Sequence, residues 1–225
     1  MIELSVILPV HNEENIIEVS FKEIYKAVKN TVKSSEFILV ENGSQDKTLE
    51  IVKKICQKYD GTRFAVAPKG YGSAVLKGLE LAGGKYVCYM PSDGQIDLEV
   101  FPKLWKEAKT GRYQLVKVKR ITRESLWRTI VSISFSLIIP LLFRTPRIDI
   151  NGSPRIFEKK YLSILDLKSK DSFIDAEFLI KITKLDWSIK EVPMKNLPRL
   201  GGKSTRSLST FLEFFSNIYK FKFER

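Results

Sequence analysis

One acidic segment, Pro91-Ser92-Asp93-Gly94-Gln95, follows directly on an apolar run, Tyr86-Val87-Cys88-Tyr89-Met90. The run reads as a buried strand, and the proline stops it. Asp93 and Gln95 are thereby delivered to the strand's exit. In open α/β sheets, ligands bind beyond the carboxyl ends of the strands. Carboxylate and amide oxygens placed there can hold a hard divalent cation, and such a cation also grips substrate phosphates. The chemistry implied is that of an enzyme acting on a phosphate-bearing donor.

Two further strand exits carry polar residues. Pro9-Val10-His11-Asn12-Glu13-Glu14 ends the first apolar run. Its short polar side chains can face a nucleotide. They can equally form a helix entry, with Asn12 as N-cap and the glutamates complementing the helix dipole. Glu41-Asn42-Gly43-Ser44-Gln45-Asp46 ends the second run. Gly43 permits a tight turn, Ser44 or Asp46 can cap the next helix, and Glu41 can accept hydrogen bonds from a base or ribose. Lys69-Gly70-Tyr71-Gly72-Ser73-Ala74 suggests a dinucleotide fingerprint, but it follows the third strand and has Val75 where the last glycine belongs. Its glycines suit a close backbone approach and a tight helix start. A single histidine and two distant cysteines cannot build a His/Cys zinc site. Cys56 and Cys88 lie in apolar patterns and read as buried thiols of a reducing compartment.

The elements that must position these exits alternate. Leu4 to Pro9, Glu36 to Glu41, Arg63 to Ala67 and Lys85 to Met90 read as strands. Asn15 to Val32, Asp46 to Tyr59, Gly70 to Ala82 and Leu98 to Lys109 have helical spacing. Repeated βα units predict an α/β fold with a mostly parallel sheet covered on both faces. Further on, Gln114 to Lys119 reads as a strand, and Arg120 to Arg128 as a basic loop. Phe173 to Leu185 reads as a helix, Ile189 to Val192 as a short strand, and Pro198 to Ser207 as a loop. The 225 residues suit one domain with a large core. Residues 1–111 are expected to form its donor-binding half and 112–225 its acceptor- and membrane-facing half.

Net charge is +12, and its placement matters more than its size. Residues 1–111 and 145–180 are each neutral, whereas 112–144 and 181–225 carry +6 apiece. Such segments are either solvated surface or face anions, phosphates or acidic lipid. The apolar stretch from Thr129 to Phe143 contains Pro140 and is shorter than the roughly 20 residues that span a bilayer. It can be a core helix or lie in a membrane interface. Leu208 to Phe223 mixes aromatics with basic residues at helical spacing, which suits a membrane-surface helix or a helix packed on the domain. No basic n-region followed by an apolar h-region opens the chain, so a cytoplasmic protein, peripheral on the inner face of an anionic membrane, is expected.

Taken together, these segments resemble family 2 glycosyltransferases of the GT-A fold, and most closely the dolichyl-phosphate mannose synthase branch. Pro9 to Glu14 looks like that family's opening motif, and Glu41 to Thr48 like its second, with Glu41-Asn42 in place of paired aspartates. Gly70 to Gly83 is similar to its Gly/Ala helix. Pro91-Ser92-Asp93-Gly94-Gln95 occupies the place of its Asp-x-Asp metal motif, with Pro91 where the first aspartate stands. Ile150 to Phe157 and Pro198 to Ser204 look like its later motifs.

The resemblance implies roles. Pro9, His11, Glu13, Glu41 and Ser92 would line the nucleotide-sugar site. Asp93 and Gln95 would hold Mg²⁺ or Mn²⁺ on the donor diphosphate. Arg120, Arg123 and Arg128 fall where that branch has a mobile acceptor loop, and Arg199, Lys203 and Ser204 would contact phosphate. The implied activity is inverting transfer of a hexose from a nucleotide sugar to a polyprenyl (dolichyl) phosphate at a membrane surface. Asp149 would serve as a base only for a hydroxyl acceptor. The alternatives are transfer to a glycan hydroxyl, or a non-catalytic nucleotide-sugar-binding subunit that recruits a membrane-protein partner. No nucleic-acid partner is expected.

Overall fold

A computed structural model describes residues 1–121, 139–146, 148–198 and 208–223, with the backbone alone for 208–215. Among them run seven strands: β1 (Leu4–Val10), β2 (Ser35–Glu41), β3 (Thr62–Val66), β4 (Tyr86–Tyr89), β5 (Leu115–Arg120), β6 (Arg155–Glu158) and β7 (Ile189–Met194). They form one sheet in the order β3-β2-β1-β4-β6-β5-β7. The first four are mutually parallel, with Val10 opposite Glu41 and Ile7 opposite Tyr89. β6 runs antiparallel to both β4 and β5, and β5 pairs with β7 in parallel. The mostly parallel α/β sheet expected from the sequence is therefore present. β6 is the addition: it overlaps the end of the segment Ile150 to Phe157, where no strand was expected.

Helices α1 (Ile17–Thr31), α2 (Thr48–Lys58), α3 (Tyr71–Leu81), α4 (Phe101–Lys109), α5 (Leu162–Leu165), α6 (Ile174–Lys184) and α7 (Leu208–Phe223) cover the sheet. A 3₁₀ turn, Leu98–Val100, opens the segment read as one helix, and Asp97 caps it through the Glu99 N–H. The central strands are buried on both faces, which is why they read as unbroken apolar runs. Alternate residues serve opposite cores. Leu4, Val6, Leu8 and Val10 join Phe37 and Leu39 under α1, α2 and α4. Ile7, Ile38 and Val40 join Val75, Leu79, Ile174 and Phe178 under α3 and α6. Cys56 is half-buried and Cys88 buried, both as free thiols. Burial pushes them up to about 11 and about 12, so neither is a reactive thiolate at neutral pH.

The Gly-rich turn before α3 has a packing role. A Cβ on Gly72 would overlap the Ser169 carbonyl oxygen, and one on Gly70 the carbonyl oxygen of Lys170. The first turn of α3 is occupied by protein, because the Ser73 N–H donates to Lys170 O at 2.8 Å. That segment is held in turn by Glu177, whose carboxylate accepts the N–H groups of Lys168 (3.1 Å) and Ser169 (2.7 Å). The close backbone approach expected from the glycines is what they provide, and the dinucleotide reading has no place to seat a pyrophosphate here.

Candidate active site

The exits of β1 and β2 are laced together. Parallel strands end with unsatisfied backbone donors that must find partners. Here Asn12, at a positive φ of 51°, donates its N–H to Ser44 Oγ at 3.0 Å and accepts the Gln45 N–H at 2.8 Å. The Glu13 N–H reaches Thr48 Oγ1 at 2.8 Å, and the Lys47 N–H reaches Glu14 Oε2 at 3.0 Å. Asp46 accepts from both the Thr48 N–H (3.0 Å) and the Glu14 N–H (3.3 Å). Asn12 is therefore a clasp between loops, not an N-cap. Helix α1 starts later, after Ile16, which makes no side-chain cap bond. Ser44 likewise serves Asn12, and Asp46, one residue ahead of the N-cap Lys47, accepts the Thr48 N–H that opens α2.

Glu41 is buried at the end of β2, and its Oε1 accepts the Ser44 N–H. It thus shapes its own turn, a role beyond the nucleoside contact expected of it. Beside it, two buried polar atoms have no partner among the described residues: Asn42 Oδ1 and His11 Nδ1. An unpaired buried polar atom costs about 1–3 kcal/mol. Both residues follow the last paired positions of β1 and β2, Val10 and Glu41. A ligand with polar edges at these exits would satisfy them. Asn42 was not singled out by sequence reasoning. Its one signal was its place beside Glu41 in the second motif.

The exit of β4 closes the same site. Ser92, fully buried, sets its Oγ 2.6 Å from Glu13 Oε2 and 2.9 Å from the Pro9 carbonyl oxygen. Three expected donor-site residues, Pro9, Glu13 and Ser92, are thereby brought into contact. Asp93 is buried in the next turn, where its Oδ1 accepts the Gln95 N–H at 3.2 Å. Beyond β7, the Leu197 N–H donates to Gln95 O at 3.0 Å, and Asn196 bridges Ile96. The chain leading toward Arg199, Lys203 and Ser204 is thus anchored at the Asp93–Gln95 turn. Those three residues, together with Arg123 and Arg128, lie outside the described residues.

Among the described residues, no three His, Cys, Asp or Glu side chains gather where they alone could hold a metal ion. The β4 turn supplies one carboxylate, Asp93, and one side-chain amide, Gln95. This set fits a Mg²⁺ or Mn²⁺ shared with a diphosphate, which brings the remaining oxygens, and does not fit an ion held by protein alone.

Arg120 differs from expectation. It is the last residue of β5 instead of part of a loop, and its guanidinium is clamped by Asp149. Its Nε and NH2 donate to the two carboxylate oxygens at 2.8 and 2.7 Å, and its N–H adds a third bond at 3.1 Å. Bidentate geometry of this kind is strong and directional. Lys117 and Glu191 brace the clamp. Lys117 Nζ donates to the Asp149 carbonyl oxygen and lies 3.4 Å from Glu191 Oε1, which accepts the Asp149 N–H at 3.1 Å. Burial by itself would raise the Asp149 carboxyl. The Arg120 hydrogen bonds and the charges of Arg120 and Lys117 outweigh it and hold it at about 2. A carboxylate so engaged is a poor general base. For Lys117, burial and then the Arg155 charge push the ammonium down to about 8.

A second buried pair stands behind β4. Arg155 NH1 lies 3.2 Å from Asp175 Oδ1, and its guanidinium sits 4.8 Å from the Tyr89 ring centre. Tyr89 OH donates to the same Asp175 oxygen at 3.3 Å, and Ser153 Oγ donates to the Tyr89 carbonyl at 2.9 Å. The 149–155 segment is thereby fixed against β4, the strand whose exit leads to Asp93. A lysine and an arginine inside a sheet leave no periodic trace in the sequence, which is why this network was not foreseen.

The sequence aligns over 134 residues with an undecaprenyl-phosphate 4-deoxy-4-formamido-L-arabinose transferase of Photorhabdus laumondii. Identity is 31%, covering 58% of this chain and 41% of that protein. The enzyme of the same name from Proteus mirabilis is 30% identical over 128 residues, covering 56% and 39%. The match thus spans less than half the length of these curated relatives. Among solved structures, glucosyl-3-phosphoglycerate synthase from Mycobacterium tuberculosis, in complex with Mn²⁺, UDP and glucosyl-3-phosphoglycerate, superposes with a TM-score of 0.74. Identity there is 20%, covering 98% of this chain and 80% of that one. S. aureus TarS superposes with a TM-score of 0.59 at 21% identity, covering 85% and 58%. At such identities the likeness shows the fold, and that fold is the GT-A fold expected from the motifs. The family description that matches residues 5–166, most of the chain and all three strand exits, is glycosyl transferase family 2, and the chain belongs to that family.

Proposed function

We propose that this chain transfers a hexose from a nucleotide sugar to the phosphate of a polyprenyl lipid, with inversion at the anomeric carbon. One observation carries the reading: the exit of β1 is tied to that of β4 through the Glu13–Ser92–Pro9 contact and to that of β2 through Asn12, Ser44 and Gln45. The β1 and β2 exits present unpartnered buried polar atoms of His11 and Asn42, and the β4 exit carries Asp93. The nucleoside would lie over His11, Glu41 and Asn42, and the diphosphate over the Asp93–Gln95 turn. A divalent ion shared by Asp93, Gln95 and the donor would neutralise charge on the leaving diphosphate. The curated relatives, whose names specify undecaprenyl phosphate, support a lipid phosphate as acceptor.

An acceptor phosphate is already ionised at neutral pH. It needs orientation and charge screening more than a base. On the proposed acceptor side, the Arg120–Asp149 clamp supports this reading. Asp149 is committed to Arg120 and held at about 2, so it fixes a cation in place and takes no proton. Arg120 would orient the nucleophilic phosphate oxygen, and Arg123, Arg128, Arg199, Lys203 and Ser204 are proposed to join it. Attack by that oxygen on the anomeric carbon expels the nucleoside diphosphate on the opposite face, which inverts the configuration.

Pro91, which brings no side-chain ligand to the β4 exit, favours a second reading: a protein that binds nucleotide sugar without transferring it. One assay separates the two. Purified protein is incubated with a panel of nucleotide sugars and a short polyprenyl phosphate, with and without Mn²⁺. Transfer predicts lipid-linked sugar that disappears in Asp93→Ala. Donor binding without product from any sugar supports the second reading.

A further inference from the structure

Helix α7 turns two different faces outward and inward over its last two turns. Ile218 is buried, and Phe221 packs its ring 5.9 Å from Phe143 and 5.6 Å from Phe173. Tyr219 and Phe223, four residues apart and so on one face, point the other way. They are 61% and 66% exposed, with ring centres 5.0 Å apart. The Phe143–Phe221 contact brings the 139–146 segment alongside. There Leu141 is 82% exposed, an extreme value for a leucine on a folded surface. Arg144, Lys220 and Lys222 are exposed in the same two stretches, and none of them forms an ion pair among the described residues. Neither 139–146 nor 216–223 contains an acidic residue.

We propose that this face, built from residues 139–144 and 216–223, is a docking surface for an anionic lipid bilayer. Exposed aromatics and leucine beside unpaired cations provide both terms of interfacial binding, apolar insertion and attraction to acidic headgroups. Charge placement favours this occupant. The entire +12 excess of the chain falls in 112–144 and 181–225, and each of those segments contributes one wall of the face. Among the described residues no helix is long and apolar enough to cross a membrane. The proposal deepens the lipid-phosphate reading by naming how the protein meets its acceptor, but its geometry does not depend on that reading.

Co-sedimentation with vesicles tests it. The 225-residue protein is mixed with phosphatidylcholine vesicles, or with vesicles of equal parts phosphatidylcholine and phosphatidylglycerol, at low and raised salt. Two double variants are compared, Tyr219→Ser/Phe223→Ser and Lys220→Glu/Lys222→Glu. Thermal melts and nucleotide-sugar titration check that the fold and donor site are intact. The expected result is binding to the mixed vesicles, weakened by salt, and roughly tenfold weaker partition in each double variant. Wild-type protein that ignores the mixed vesicles overturns the proposal, as do folded variants that bind like wild type. Variants that lose self-association in sedimentation analysis while keeping vesicle binding assign the face to a second copy of the chain instead. Transfer to a short soluble acceptor is measured in parallel. Its absence in wild type, with vesicle binding as expected, contradicts the lipid-phosphate reading and leaves the surface standing.

Discussion

Glu13 Oε2 lies 2.6 Å from Ser92 Oγ, a contact that joins the exits of β1 and β4 across 79 residues of sequence. The serine hydroxyl has one proton and two acceptors, this carboxylate and the Pro9 carbonyl. The carboxylate therefore sets where the Asp93 turn begins. Ser92→Ala and Glu13→Gln are each expected to weaken donor binding by about tenfold, the scale of a hydrogen bond to a charged group. Because both act through one contact, the double variant should be no worse than the weaker single one. Calorimetric titration with nucleotide sugar reads this directly, and additive losses would show that the two residues act separately.

Glu41 shapes the β2 turn through the Ser44 N–H and is proposed to contact the nucleoside. Glu41→Ala is expected to weaken free nucleotide and nucleotide sugar by similar factors. A loss confined to the sugar nucleotide would place Glu41 at the sugar instead.

Acid stability should follow two carboxylates. Asp149 is held at about 2 from an ordinary 3.8. Glu177 falls to about 2 from 4.5, against burial, through hydrogen bonds from Ser169, Lys181 and Lys168. Folded-state values below the unfolded ones mean that the unfolded chain binds protons first. Their stabilisation is therefore complete above about 4.5 and lost as pH falls toward 2. Urea midpoints measured across this range are expected to drop steeply in wild type and less steeply in Asp149→Asn and Glu177→Gln. Parallel curves would mean that neither carboxylate contributes.

The strand exits were legible because a parallel sheet forces its polar residues to the carboxyl ends. Asp93, Glu13 and Glu41 could be placed by counting from apolar runs. The antiparallel β6 was not, because Arg155-Ile156-Phe157-Glu158 is four residues long and begins with a buried charge. Arg120 was read as loop because two further arginines, Arg123 and Arg128, follow it in a stretch without periodicity. In the fold, pairing with β7 extends β5 through Arg120, opposite Met194, and Asp149 neutralises the charge. Only tertiary partners decide such cases, and for Arg120 they lie far along the chain, at Asp149 and Met194.

Gly72 offers a stability test apart from the chemistry. Its missing side chain lets α3 touch the 169–171 backbone. Gly72→Ala forces that carbonyl-lined segment apart and is expected to cost about 1–3 kcal/mol, the range for overpacking. Denaturant unfolding measures it. An alanine tolerated without loss would show that the segment can yield.

The proposed transfer requires an acceptor that arrives ionised, so that no protein base is needed. The direct measurement offers the protein one short polyprenyl chain in two forms, as the phosphate and as the free alcohol, with the same labelled nucleotide sugar. Labelled lipid from the phosphate alone, of inverted anomeric configuration, is the predicted result, since Asp149 is locked to Arg120. Equal or better transfer to the alcohol would contradict it.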